Sequence, residues 1–234
     1  MESVTCYNLR ECQSYTKIFQ LQQTLSALRA DHLFGNSILL LEHSPVMTIG
    51  RTPGADGHLL VAPDTLQRRG IEVCRTNRGG DMTYHGPGQL VVYYILLLVE
   101  RDIHRFVRQI EHSVITLLAR YEIQGHRKPE YPGVWVGEEK ICALGFSIRK
   151  WVSMHGIALN VAPDLSHFTL IVPCGIRDKG VTSFQKIYQQ RQLAYPVTME
   201  QIKRDYLTSF AETFGVEMVE GEPQSLWQYL DTSL

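Results

Sequence analysis

Several things are missing from this sequence, and each absence excludes a class of protein. No apolar run approaches the ~18 residues that a membrane-spanning helix needs. The longest, Leu90 to Val99, contains two tyrosines and reads as a buried strand. The opening residues, Met1-Glu2-Ser3-Val4-Thr5-Cys6, show neither a basic stretch before an apolar core nor an Arg-rich pattern, so no secretory or transit signal is expected. Basic charge is not in excess: 23 Lys and Arg against 24 Asp and Glu leave a formal charge of −1. That argues against a protein that coats nucleic acid. The five cysteines are odd in number and contain no C-x-x-C, which fits a reducing, cytoplasmic setting with free thiols. There is no H-E-x-x-H and no zinc-type spacing of Cys and His, so no metal is expected. No G-x-S-x-G marks a serine hydrolase, and no glycine pattern fits a nucleotide phosphate loop, so no cofactor is expected. Repeats and long linkers are absent too.

What remains is a chain of 234 residues with 44% hydrophobic and 20% charged residues. At this length roughly 70% of the unfolded surface can be buried, so one domain spanning 1–234 is expected. Apolar spacing predicts a helix over 14–30, a strand at Ser37–Glu42 and a surface loop from Gly50 to Pro63. A short helix at Pro63–Arg69 and a strand at Ile71–Arg75 follow. Asn77–Gly88 is glycine-rich and reads as irregular, leading into a strand at Gln89–Leu98. The cleanest helical stripe runs over Asp102–Tyr121 and includes Ile103, Phe106, Val107, Ile110, Val114, Leu117 and Leu118, all expected to face the core. Strands are expected at Gly133–Val136, Ile141–Ile148 and Val152–Val161, the first two joined by a hairpin loop Gly137-Glu138-Glu139-Lys140. Thr198-x-x-Gln201 has the form of a capping box opening a helix that Gly215 ends. Strands gather in the middle without regular alternation with helices. This predicts an α+β fold with helices packed on a mixed or antiparallel sheet.

Three segments carry chemistry. Arg78-Gly79-Gly80-Asp81-Met82-Thr83-Tyr84-His85-Gly86-Pro87-Gly88 sets hydrogen-bonding side chains beside bare backbone that can approach another molecule closely. Lys140 opens a strand whose alternation would place it on one face with Cys142, Leu144, Phe146 and Ile148. A hairpin lysine is ordinarily exposed to solvent, and spacing alone does not overturn that. Val172-Pro173-Cys174-Gly175 puts a thiol between two residues that break regular structure, a setting for an accessible rather than a packed cysteine.

Taken together, Arg78 to Leu90, Lys140-Ile-Cys-Ala-Leu-Gly145, His155-Gly-Ile-Ala-Leu-Asn160, and Pro173-Cys-Gly-Ile176 with Gly180-Val-Thr-Ser183 resemble the lipoyl (octanoyl) transferase family. The resemblance runs from about Leu41 to Phe184, in order. One departure is Asp81, where the family commonly has Gln. The resemblance implies a fold similar to the catalytic domains of biotin protein ligases and lipoate ligases. It implies transfer of an octanoyl group from acyl carrier protein to a lysine of lipoyl domains, namely those of 2-oxoacid dehydrogenase E2 subunits and the glycine cleavage H protein. No membrane or nucleic-acid partner is implied, and a monomer is expected. By motif position the resemblance implies that Cys174 is the acyl-thioester nucleophile and Lys140 its partner. The resemblance also implies that Arg78, Gly79, Gly80, Asp81, Met82, Thr83, Tyr84 and His85, with Ala143, Leu144, Gly145, Gly156, Ile157 and Ala158, form the substrate-binding wall. Oxyanion donors are sought among N–H groups near Gly79-Gly80 or Cys174. An acidic carrier calls for a basic patch, for which Arg101, Arg105 and Arg108, or Arg149, Lys150 and Arg177, are candidates. The competing readings are a Cys–His hydrolase using His85 or His155, an ATP-dependent ligase, and a non-catalytic acyl- or lipoyl-domain-binding module.

Overall fold

A computed structural model describes residues 3–172, 179–195 and 197–230. In chain order the strands are β1 (Ser3–Gln13), β2 (Ser37–His43), β3 (Val46–Ile49), β4 (Glu72–Arg75), β5 (Met82–His85), β6 (Gln89–Ile95), β7 (His126–Lys128), β8 (Tyr131–Val136), β9 (Glu139–Arg149), β10 (Val152–Asn160), β11 (Gly180–Val181) and β12 (Glu217–Glu220). The helices are α1 (Tyr15–Ala30), α2 (Pro63–Arg68), α3 (Ile103–Ala119), α4 (Phe184–Gln190) and α5 (Met199–Phe214). Among the described residues, one mixed sheet runs β12-β1-β2-β6-β10-β9-β8-β7, with β11 added alongside β9, and a smaller sheet runs β4-β3-β5. This is the α+β architecture expected from the sequence.

The large sheet has two apolar faces because its central strands are covered on both sides. Along β6, Leu90, Val92 and Tyr94 point into the core beneath α3 and α5, while Val91, Tyr93 and Ile95 point toward α1. That alternation follows from the two-residue period of a strand. Continuous burial along β6 and β10 explains why both read from sequence as apolar runs. α3 starts where the Asp102 side chain accepts the Arg105 N–H at 2.9 Å. Its inward stripe of Phe106, Ile110, Val114, Leu117 and Leu118 is buried as expected, but Ile103 is 42% exposed. Ile103 occupies the first turn, which overhangs the sheet and is not covered by it.

α5 opens on Thr198, whose hydroxyl accepts the Gln201 N–H at 3.2 Å, and closes on Gly215 at φ +65. The return half of the expected box is not made, because the Gln201 side-chain amide donates instead to Asp205. Six strands were not expected: β1, β3, β5, β7, β11 and β12. β1 is largely polar outside Val4, Cys6 and Leu9, and it pairs in parallel with β2 and β12. β5 lies inside the stretch read as irregular and forms a buried antiparallel pair with β3, of which the sequence also gave no warning. The small sheet stands beside the large one and brings β5 to the face where the site forms.

Candidate active site

A cleft of about 580 Å³ opens where β8 leaves β9. β8 pairs with β9 only as far as Val134 opposite Cys142. Beyond that point the β9 edge from Ala143 to Phe146 faces the cleft instead of a neighbouring strand. The loop Arg78–Gly80 crosses this edge: the Gly79 N–H donates to the Phe146 carbonyl at 2.8 Å. So close a crossing requires Gly145, since a Cβ there would lie 2.8 Å from the Gly79 carbonyl oxygen. On the far side the same loop is held by backbone bonds from Arg51 to Arg78 and from Thr52 to Gly80. Gly79 therefore spends its N–H on structure and is removed from the candidate oxyanion donors. The Gly80 N–H bonds none of the described residues.

Most residues singled out in the sequence converge on this cleft. Arg78, Gly79, Gly80, Asp81, Thr83 and His85 line one wall, and Ala143, Leu144, Gly145, Gly156, Ile157 and Ala158 line the other, with Lys140 between them. Met82 and Tyr84 do not reach it. They alternate with Asp81, Thr83 and His85 along β5 and so point into the apolar cluster beneath the small sheet with Met47, Leu66 and Phe168. Sequence reasoning missed Tyr15, Tyr93, Thr52 and Phe146 as lining residues, together with Ile103, His104 and Val107 from the start of α3. The overhanging first turn of α3 explains the last three. No pattern in the sequence marks an apolar stripe whose first residue covers a cleft.

Lys140 departs from its expected setting in two ways. It is 7% exposed, so it is not a solvated hairpin lysine. It also does not share a face with Cys142. Trp135 lies opposite Lys140 and Val134 opposite Cys142, which leaves Ile141 as one extra residue in β9. At such a bulge two successive side chains turn to the same side. Ile141 and Cys142 both enter the core under α3, where Leu144, Phe146 and Ile148 pack as well. Lys140 is thereby turned onto the other face with Ala143, its ammonium 4.9 Å from the centre of the Trp135 ring. Gly133, at φ +132, makes room for it: a Cβ there would meet the Lys140 Cε at 3.3 Å. β11 then pairs Val181 with Lys140, so the Gly180-Val-Thr-Ser183 motif lies alongside the lysine.

Cys174 lies outside the described residues, as does Arg177. The other four cysteines do not line the cleft. Cys142 and Cys6 are buried, and burial first of all pushes both thiols up, Cys6 to about 12. Before the segment that carries Cys174, Val172 donates its N–H to the His58 carbonyl at 2.8 Å; after it, Gly180 and Val181 pair with Glu139 and Lys140.

The histidines of the cleft are poor bases. Burial, then the charges of His43 and Arg78, hold His85 well below the ordinary imidazole range. His85 Nδ1 lies 2.8 Å from Gln89 Oε1 and Nε2 lies 3.3 Å from Thr48 Oγ1, so both nitrogens are engaged. His155 is lowered to about 3 by burial and the nearby Arg78 charge. Its Nε2 donates to Asn77 Oδ1 at 2.6 Å. Asp81, the departure from the family pattern, is 7% exposed; it accepts from the Met82 N–H at 2.6 Å and pairs with His58 Nδ1 at 2.8 Å. The expected trio Arg101, Arg105 and Arg108 does not form one helical face. Arg101 precedes α3 at φ +54, with its guanidinium over Trp151, and Arg105 pairs with Glu100. Lys150 pairs with Asp31 at 3.2 Å. Among the described residues, no three His, Cys, Asp or Glu side chains gather to hold a metal ion, and no helix is long and apolar enough to cross a membrane.

Comparison with known proteins gives this arrangement a family. Residues 14–211 match the lipoyl protein ligase A/B catalytic domain. An octanoyltransferase of Myxococcus xanthus is 43% identical over 232 residues, covering 95% of this chain and 63% of the relative. An octanoyltransferase of Caldicellulosiruptor bescii is 42% identical over 214 residues and 90% of each chain. Among solved structures, a bipartite lipoate protein ligase from Thermoplasma acidophilum superposes with a TM-score of 0.72 at 20% identity, covering 100% of this chain and 93% of that one. A biotin protein ligase from Aquifex aeolicus gives a TM-score of 0.50 at 15% identity over 98% of this chain and 72% of that one. At these identities the two structures speak for the fold, whereas the family match and the curated relatives together make this chain a member of the lipoyl protein ligase A/B catalytic domain family.

Proposed function

We propose that this protein is an octanoyltransferase of protein lipoylation, working as a single catalytic domain over 1–234, as a monomer, in the cytoplasm. The donor is octanoyl-acyl carrier protein. The acceptors are lipoyl domains, including those of 2-oxoacid dehydrogenase E2 subunits and the glycine cleavage H protein. Curated relatives called octanoyltransferases at 42–43% identity support the activity. The observation that carries the mechanism is the placement of Lys140. The Lys140 side chain is buried where the polar wall from Arg78 to His85 meets the apolar wall of the cleft, on the strand that pairs with the segment following the Pro-Cys-Gly motif.

The Cys174 thiolate attacks the carbonyl carbon of the donor thioester. The bond to the carrier sulfur breaks, Lys140 gives that sulfur its proton, the carrier leaves as the thiol, and octanoyl-Cys174 and a neutral Lys140 remain. The acceptor lysine, as the neutral amine, then attacks this second thioester. An amide bond forms, the Cys174 sulfur leaves, and Lys140 takes the proton lost by the nitrogen. An ammonium beside a thiol favours the thiolate, which is the nucleophilic form. Exchange between two thioesters is nearly balanced in energy and the amide is downhill, so no ATP is consumed. The apolar surfaces of Leu144, Phe146, Ile157, Ile103 and Val107 suit an alkyl chain. The low basicity of His85 and His155 counts against a Cys–His hydrolase. Carrier docking is assigned to the surface near Arg149, where a separate hollow of about 220 Å³ is also lined by Lys150, Ser147 and Gln23.

The test is intact mass. Incubation with octanoyl carrier protein adds one octanoyl group, which is lost on addition of a lipoyl domain. Cys174→Ser abolishes both the adduct and turnover, and a variant with near-normal turnover would remove Cys174 from the mechanism. Lys140→Ala moves the pH profile of thiol alkylation to higher pH. An unchanged profile would dissolve the pairing.

A further inference from the structure

A line of buried polar groups runs behind the cleft from one wall to the other, and its hydrogen bonds can point only one way. At one end is Arg78, whose guanidinium donates and never accepts. Its Nη2 donates to Thr48 Oγ1 at 2.9 Å and to the Thr48 carbonyl at 2.7 Å, and Nε lies 3.3 Å from the same hydroxyl. With its lone pairs facing donors, the Thr48 hydroxyl sends its proton to His85 Nε2 at 3.3 Å. His85, held neutral, then carries its proton on Nδ1, 2.8 Å from Gln89 Oε1. The Gln89 amide is fixed in turn: Nε2 donates to Asn160 Oδ1 at 3.0 Å and to the Tyr84 carbonyl at 3.2 Å. Asn160 Nδ2 donates to the Thr182 carbonyl at 3.0 Å. That carbonyl can only accept. A permanent donor at one end and a permanent acceptor at the other leave each link in between a single orientation. Any flip would set two donors or two acceptors face to face in a buried site. All six residues are buried, Thr48 at 0% and Gln89 at 1%.

The far end of the chain matters because Thr182 also donates its backbone N–H to the Lys140 carbonyl at 3.0 Å, next to the pairing of Val181 with Lys140. The line thus spans from the Arg78 wall to the backbone of Lys140. We propose that Gln89 and Asn160 are positioning residues, which fix His85 as the neutral Nδ1–H tautomer and tie the Thr182 segment, and through it Lys140, to the cleft wall. The tautomer claim stands without any assigned function, while the effect on turnover rests on the octanoyl transfer proposed above. His85 is a structural relay in this scheme, with no nitrogen to offer a substrate.

The experiment is nitrogen NMR on the full-length protein with labelled histidine, His85 being identified by its loss in His85→Gln. At pH 7 the Nδ1 of His85 gives the signature of a protonated ring nitrogen and Nε2 that of a bare one. In Gln89→Glu a carboxylate faces Nδ1–H, and His85 takes up a second proton at higher pH than in the parent, against the opposing charge of Arg78 and beside the neutral rings of His43 and His155 and the stacked Tyr15 ring. In Asn160→Asp the donor to Thr182 is lost, and kcat falls about 10-fold or more with KM changed less than threefold. Asn160→Gln, which keeps the donor, recovers part of the loss. The proposal is overturned if wild-type His85 is protonated on Nε2 at pH 7, or if Gln89→Glu leaves its titration unmoved, or if Asn160→Asp keeps kcat within twofold. The wild-type spectrum decides the orientation even where a variant does not fold. A protein with the expected tautomer but no octanoyl transfer would sink the functional reading and leave the relay standing.

Discussion

The two faces of the large sheet are built from different materials. Beneath α3 and α5 lies an apolar core of Leu, Val and Phe, closed by Phe210 stacked on Phe214 and Tyr94. Its few polar groups serve one another, as the Tyr94 and Tyr206 hydroxyls do. The face toward α1 and the small sheet instead buries three histidines: His43, His85 and His155 are at most 6% exposed. The Tyr15 ring stacks on His85 and the Phe19 ring on His155, while Tyr93 lies tilted against His43 and edge-on to His155. The first face returns the free energy of ordinary hydrophobic burial. The second spends some of it on holding neutral bases and a buried guanidinium in place. Stability and chemistry are thus separated by the thickness of one sheet, and the cleft opens where they meet.

The largest effect should come from the apolar face. Phe210→Ala removes a fully buried ring and is expected to cost about 3–5 kcal/mol of stability. Octanoyl transfer per folded molecule should stay within a few-fold of the parent. Chemical denaturation paired with turnover at low temperature checks this, and a large loss of turnover in folded protein would erase the division of labour.

Next is pH. His43 is lowered to about 4 by burial and His155 to about 3. A depressed histidine binds its proton more weakly in the folded state than in the unfolded chain. Stability from this source is therefore complete above about 6.5 and falls as pH drops toward 4 and 3, by up to about 1.4 kcal/mol per pH unit for each residue. Urea unfolding between pH 7 and 5 should show the slope, and His43→Gln should flatten it. The smallest effect belongs to the surface pair Arg120 and Glu212, 2.7 Å apart and 37% and 55% exposed. Glu212→Gln should change stability by less than about 1 kcal/mol, with a midpoint shift near the limit of detection.

How far the sequence could be read follows the same division. The apolar face announces itself, because α3, α5, β6 and β10 carry patterns that only burial explains. The cleft-facing side is written in short pieces. β5 has four residues set among glycines, and its partner β3 is equally brief, too short for a period to emerge. Had β5 been read as a strand, alternation would have sent Met82 and Tyr84 away from the substrate wall. The motifs marked the site because glycine and charge leave a trace that needs no periodicity. Lys140 was misplaced because nothing in Lys-Ile-Cys-Ala announces an extra residue.

That extra residue makes the β8–β9 hairpin sensitive to reading frame in a way that ordinary substitution does not probe. Exchanging Ile141 for another aliphatic side chain alters a little volume. Deleting it restores a regular ladder in which Lys140 stays opposite Trp135 and Cys142 opposite Val134, each on its present face. A library of single-codon deletions across 139–143 should therefore keep active clones at Ile141 or Cys142, where either loss leaves one inward side chain between Lys140 and Ala143, and lose them at Ala143, where the alternation of everything before it is reversed.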